Sequence, residues 1–241
     1  MKQTILFIAT VLLFASCGST AYQSSSSGSI FNKQYNISNE PPITQSLFND
    51  KNATISEENI QLILDGHYEL PEVLRVAIVK LESKQRQRYF YWANEDYLKT
   101  QQSYLELFTE KFKNSQRVTT VSIIPDLLIS NNPTFANIRE SAVRTQADVV
   151  AIFSITSEIY SKYRFFSPDL IKAFATIEFI LLDIRTGLIP FSTIVTKDYQ
   201  SKKQKEDFDE MEARNRVKNE AVLLTINEIG EQLTTFLNAQ K

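Results

Sequence analysis

The chain has 241 residues, a formal net charge of −2, one histidine and one cysteine. That charge argues against a general nucleic-acid binder, and a single cysteine cannot close a disulfide within the chain. The length suits one full-sized domain with a tether, and a hydrophobic fraction of 43% is ordinary for a globular chain.

Met1-Lys2-Gln3-Thr4 gives a short positive start, followed by an apolar run from Ile5 to Phe14. The run is too short to span a bilayer, which takes about 20 apolar residues, and it reads as the core of a secretory signal. Ala15 and Ser16 lead into Cys17, and this small-small-Cys ending resembles the lipobox of bacterial lipoproteins. The resemblance implies a signal peptide over 1–16 and acylation of Cys17, with palmitate among the chains. Gly18 rather than Asp follows the cysteine, so the resemblance points to the outer membrane, with the domain facing the periplasm. One acyl chain binds a bilayer only marginally, at about 0.8 kcal/mol per buried CH₂, whereas several anchor it stably. Residues 17–45 read as the acylated cysteine and a flexible tether. Ser24-Ser25-Ser26-Ser27 and Gly28 leave it nothing to bury, and a coil of about 35 residues reaches roughly 30–35 Å.

The domain is expected over 54–241. Thr54 and Glu57 have capping-box spacing, Ile60, Leu62, Ile63 and Leu64 form a short amphipathic stripe, and Gly66 closes that helix. Val73 to Leu81, mostly apolar and β-branched, suits a strand buried on both faces. Arg86 to Trp92 brings four aromatics together. Asn94 can cap a helix with Tyr97, Leu98, Tyr104, Leu105, Phe108 and Phe112 at core spacing. Arg117 to Ile124 reads as a second strand and Thr134 to Thr145 as a helix with Ile138, Ala142 and Val143 on one side. A third strand is expected from Ala147 to Ile155, running on toward Tyr160. Ala173 to Ile184 and Leu188 to Tyr199 form a β-hairpin about Arg185-Thr186-Gly187. A long helix from Lys205 to Asn238 carries Val217, Ala221, Leu224, Ile229, Leu233 and Phe236 as core positions.

The order α-β-α-β-α-β-β-β-α defines an α/β single domain with a mixed, mostly parallel sheet, since strands separated by helices pair in parallel. Arg75 to Val79, Gln146 to Ala151 and Leu181 to Gly187, in that order and behind the lipobox, resemble a group of envelope lipoproteins. That group shares the fold of the curli-secretion lipoprotein, the lipoprotein activators of penicillin-binding proteins and the amino-terminal domain of TolB. The resemblance covers about Pro71 to Leu237 and rests on structural motifs.

Residue chemistry points to a non-enzymatic domain. His67 follows a helix-ending glycine and reads as an exposed turn residue, and no serine sits in a nucleophile elbow. The sequence has no cluster of Cys, His and carboxylates for a metal and no glycine-rich phosphate loop, so neither metal nor cofactor is expected. Asp183 reads as a turn-former beside Gly187. A binding module needs exposed aromatics and arginines, and two loops supply them: Arg88, Tyr89, Phe90, Tyr91 and Trp92 after the first strand, and Tyr163, Arg164, Phe165 and Phe166 after the third. Parallel strands would set both loops on one edge. The expected function is a lipid-anchored adaptor or regulator of an envelope protein machine, in cell-wall synthesis, secretion or surface-structure assembly. Its expected contacts are the membrane through the anchor, an unidentified envelope protein and a possible homo-oligomer, with no nucleic acid. The alternative is a subunit of an oligomeric curli-type secretion pore, whose strands would be the long pair Ala173–Ile184 and Leu188–Tyr199.

Overall fold

The computed structural model describes residues 57–66, 68–81, 95–129, 133–162 and 170–239. Its elements are α1 (Glu57–Asp65), β1 (Leu74–Leu81), α2 (Glu95–Lys113), β2 (Val118–Ile123), a 3₁₀ turn (Asp126–Leu128), α3 (Phe135–Arg144), β3 (Val149–Lys162), β4 (Leu170–Asp183), β5 (Phe191–Lys202) and α4 (Glu210–Ala239). This is the order expected from the sequence. The five strands make one sheet in the order β2-β1-β3-β4-β5. β1 pairs in parallel with β2 and β3, while β3–β4 and β4–β5 are antiparallel. Parallel and antiparallel pairings are therefore two each, and the longest ladders are antiparallel. The strands after Val149 run longer than their apolar segments indicate.

Two cores flank the sheet. On one face Tyr104, Phe108 and Phe112 of α2 and Val217, Ala221, Ile226, Ile229 and Leu233 of α4 meet the odd-numbered residues of β3 and β4. Aromatic rings bind this layer together. Phe108 lies 4.5 Å from Phe153 and 5.7 Å from Phe179 between centroids, and Phe179 continues through Phe191 to Phe236. Such contacts add about 0.5–1.5 kcal/mol each beyond the area they bury. Further along, small side chains let α4 approach the sheet: Ala173 and Ala175 on β4, Ala213 and Ala221 on the helix, all fully buried. Thr225 Oγ1 there lies 2.8 Å from the Ala221 carbonyl and 3.2 Å from that of Ala175. On the other face Ile138 and Ala142 of α3 cover Ala77, Val79, Val150, Ile152 and Leu182, so β1 is buried on both sides as its composition requires.

Several expected core positions are corrected. Leu98, Val143 and Leu224 are exposed, because each lies beside the buried stripe of its helix rather than on it. Ile60, Ile63 and Leu64 of α1 are also exposed, Leu64 at 73%, so these three positions of the first helix do not enter the core. Gln146 has φ +59° and stands one residue past the cap of α3. Its amide reaches Val143 O and that of Ala147 reaches Ala142 O, which is the Schellman pattern with Gln where Gly is usual.

Candidate functional site

Cys17, the loop residues Arg88, Tyr89, Phe90, Tyr91 and Trp92, the loop residues Tyr163, Arg164, Phe165 and Phe166, and His67 all lie outside the described residues. The strands that lead into the two aromatic loops are described. Leu81, at the end of β1, stands opposite Ser154, while β3 runs on to Lys162, about 26 Å further at the usual strand rise. The two loops therefore leave the same end of the sheet from points well apart, because β3 outruns its parallel neighbour.

The motif residues of the sequence come together at the opposite end. The Asp148 carboxylate takes a forked pair from Arg75, Nη2 to Oδ1 at 2.8 Å and Nε to Oδ2 at 3.0 Å, and also the Arg75 amide at 3.0 Å. Arg185 stands 3.8 Å from Oδ1. Hydrogen bonding to Arg75, against the cost of burial, holds Asp148 below the usual carboxylate range. Asp183 is buried. Its Oδ1 accepts the amides of Arg185 and Thr186 at 2.8 and 2.7 Å, and its Oδ2 accepts the Tyr68 hydroxyl at 2.7 Å. Burial, then the Asp183 carboxylate, raises the Tyr68 phenol well above its ordinary value. Asp183 thus holds a turn, as its neighbours in sequence indicate. Gly187 completes that turn at φ +76°, where a Cβ would stand 3.2 Å from the Phe135 ring, and Arg139 seals it by donating to Ile184 O at 2.6 Å. Asp148 is thus engaged by Arg75, and Asp183 by two turn amides and the Tyr68 hydroxyl.

A different surface is left uncovered among the described residues. Beyond Ser154 the face of β3, β4 and β5 opposite α4 has no helix over it among the described residues. Register sets its outward side chains in rows: Ser154–Glu178–Ile194, Thr156–Thr176–Thr196, Glu158–Phe174–Asp198 and Tyr160–Lys172–Gln200. The Thr176 and Thr196 hydroxyls are 2.8 Å apart. Tyr160 meets Phe174 edge-on at 5.7 Å, and Lys172 lies over the Phe174 ring at 4.6 Å while pairing with Asp198 at 3.0 Å. The Tyr160 hydroxyl donates to Glu158 at 2.5 Å, and that hydrogen bond raises the phenol's pKa. Tyr160 is 55% exposed and Ile194 70%. Strands spaced about 4.8 Å apart thus present hydroxyls, carboxylates and two rings on one plane, fixed from behind by α4. Tyrosine and phenylalanine are the types that protein interfaces favour. The signal for this face lay in the alternation of Leu170–Asp183, which places Lys172, Phe174, Thr176 and Glu178 on one side.

At the far end of this half, Asp207 is buried and accepts Arg216 Nε and Nη2 at 2.8 Å each and the Gln204 amide at 2.6 Å. Hydrogen bonding to Arg216 brings its pKa down to about 2. Arg216 also donates to Lys202 O, so the pair ties the end of β5 to the start of α4.

Among the described residues, no group of three or more His, Cys, Asp or Glu is placed to hold a metal, and no helix is long and apolar enough to cross a membrane. No protein-family model matches the chain, and no curated protein matches it. Similar arrangements occur among solved structures. The hypothetical protein CT253 from Chlamydia trachomatis has a TM-score of 0.40 at 13% identity, over 69% of this chain and 99% of that one. Lipoprotein GNA1162 from Neisseria meningitidis has 0.34 at 12%, over 67% and 98%, and the minor lipoprotein from Acinetobacter baumannii 0.34 at 8%, over 67% and 92%.

Proposed function

We propose that the chain is a lipid-anchored domain of the bacterial envelope that acts by binding a protein partner, without catalysis. Cys17 is the attachment point, the serine-rich stretch after it is the tether, and the outer membrane is the site. One observation carries the reading: the uncovered face of β3–β5, with Tyr160 and Phe174 beside the threonine row. Uncovered and mixed in polarity, it suits a protein surface better than a small molecule, which needs a concave site. The carboxylates at the other end of the sheet support the non-enzymatic reading, since Asp148 and Asp183 are bonded to Arg75, Tyr68 and turn amides. β4 and β5, the strands that a pore would need, pack on α4 through Ala175, Ile177, Phe179 and Val195.

The test is affinity capture from envelope membranes, wild type beside a Tyr160→Ser, Phe174→Ser double variant of unchanged circular dichroism. Capture of one envelope protein by the wild type and its loss in the variant is expected. Equal capture by both would remove the face from the reading. Metabolic labelling with palmitate, expected for wild type and absent in Cys17→Ser, tests the anchor separately.

A further inference from the structure

β5 ends the sheet among the described residues, paired with β4 on one side and with no strand on the other. An open edge of this length is a template for another strand, and proteins usually guard such edges with lysines, proline or a bulge. β5 carries no such guard along its middle. Its register with β4 is unbroken from Phe191 to Lys202, and the strand contains no proline. Its two central charges are turned to partners in the same chain: Lys197 to Glu228 of α4 at 2.8 Å and Asp198 to Lys172 of β4 at 3.0 Å. Beside the edge Ile194 is 70% exposed.

We infer that this edge pairs with β5 of a second copy of the chain, antiparallel across a two-fold axis at Val195, to give one continuous ten-stranded sheet. The inference goes beyond the adaptor reading and does not depend on it. The strand is self-complementary enough to take a second copy, and its charges narrow the register. Directly opposed residues of antiparallel strands share a face, so the axis must pass through a residue pair of the type i with i. An axis at Lys197 or Asp198 opposes like charges, which is destabilising, and one at Thr196 sets Ile194 against Asp198. With the axis at Val195, Val195 meets itself, Ile194 meets Thr196, Thr193 meets Lys197, Ser192 meets Asp198 and Phe191 meets Tyr199. No like charges oppose, and the pairing spans Phe191 to Tyr199.

The helices fit the same axis. α4 lies over both β4 and β5, so two copies of it would stand about two strand spacings apart, roughly 10 Å, within the usual 8–10 Å for packed helices. α4 runs antiparallel to β5, with Glu228 at Lys197 and Gln232 at Thr193. The second copy's Lys197, opposite Thr193, therefore comes level with Gln232 and the exposed Glu231.

The test is the mass of the isolated full chain in detergent micelles by sedimentation, followed by a register check. Wild type is expected at twice the chain mass, and an Ile194→Lys, Thr196→Lys variant, which sets lysine against lysine twice, at half that value with unchanged circular dichroism. An Ile194→Cys, Thr196→Cys variant is expected to cross-link to covalent dimer on oxidation, whereas either single cysteine is not. A monomeric wild type, a lysine variant that keeps the dimer mass, or a larger closed oligomer overturns the inference. Failure here leaves envelope capture intact, and loss of capture by Tyr160→Ser, Phe174→Ser leaves the dimer intact, so the two readings fail separately.

Discussion

The two halves of the sheet are built on different terms. From Val149 to Ser154, β3 has β1 on one side and β4 on the other, with α3 above and α2 and α4 below, and nearly every residue is buried. From Ile155 to Lys162, β1 is gone, α4 covers one face through small residues, and the other face carries Thr156, Glu158 and Tyr160 toward solvent. Burial on both faces supplies the driving force of folding, in proportion to apolar area removed from water. The second half borrows that stability through the continuous β3–β4–β5 ladder and spends its outer face on polar and aromatic groups. A strand can thus fold at one end and present at the other.

Substitution in the doubly covered half should give the largest effect. Phe108 is fully buried between Phe153 and Phe179, and Phe108→Ala is expected to cost about 3–5 kcal/mol, read from the urea midpoint at constant m-value. A loss below about 1 kcal/mol would mean that the ring cluster is not the core that the halves are compared against. Asp148→Ala should follow at about 1–3 kcal/mol, toward the lower end because Arg75 is 44% exposed and solvent screens the pair. Denaturation of Asp148→Asn, which keeps one acceptor oxygen, is expected to fall between wild type and Asp148→Ala.

The doubly covered half was legible in the sequence for a physical reason. A strand buried on both faces must be apolar throughout, and Leu74–Leu81 and Val149–Ile155 announce themselves. The turn at Asp183 to Gly187 was legible because only glycine takes its φ without strain and Asp readily caps the amides that follow. The presenting half was harder to read. Ser157 to Lys162 carries Ser, Glu, Tyr and Lys, so the sequence shows only that the third strand runs on toward Tyr160, and pairing with Leu170–Ala175 carries it to Lys162. α1 misled in the opposite sense, since Ile60, Ile63 and Leu64 have helical spacing but remain exposed. Periodicity shows where a helix could bury a stripe, not whether a neighbour is there to receive it. The aromatic loops that sequence reasoning chose for binding lie outside the described residues, whereas the rows on β3–β5 needed register, which one strand alone does not encode.

A smaller and pH-dependent effect is expected at the far end of the presenting half. Asp207, with a pKa of about 2, lies below the roughly 3.9 of an unfolded aspartate. It binds fewer protons folded than unfolded between those values, so its contribution is full above about pH 4 and lost as pH falls toward about 2. Asp207→Asn should lower the melting temperature by a few degrees at neutral pH. That gap should stay constant down to about pH 5 and close by about pH 2. A gap that does not narrow on acidification would mean that packing, rather than the Arg216 pair, joins β5 to α4.

The smallest expected effect places the two faces of one strand side by side. Ala175 and Thr176 are neighbours on β4. The Ala175 carbonyl lies against the buried Thr225 hydroxyl of α4, while Thr176 points the other way and meets Thr196 at 2.8 Å. Replacing threonine by valine removes one hydroxyl and adds one methyl in either place. At Thr225 the loss falls on a fully buried group, and Thr225→Val should cost about 0.5–1.5 kcal/mol. At Thr196 water replaces the lost partner and valine suits a strand at least as well, so Thr196→Val should stay within about 0.5 kcal/mol of wild type. Equal costs by denaturation would mean that the open face is held as tightly as the covered one, and would leave no reason to read it as a surface kept for contact. A difference would show the same strand charging for a hydroxyl on one face and leaving the other free to vary with whatever binds it.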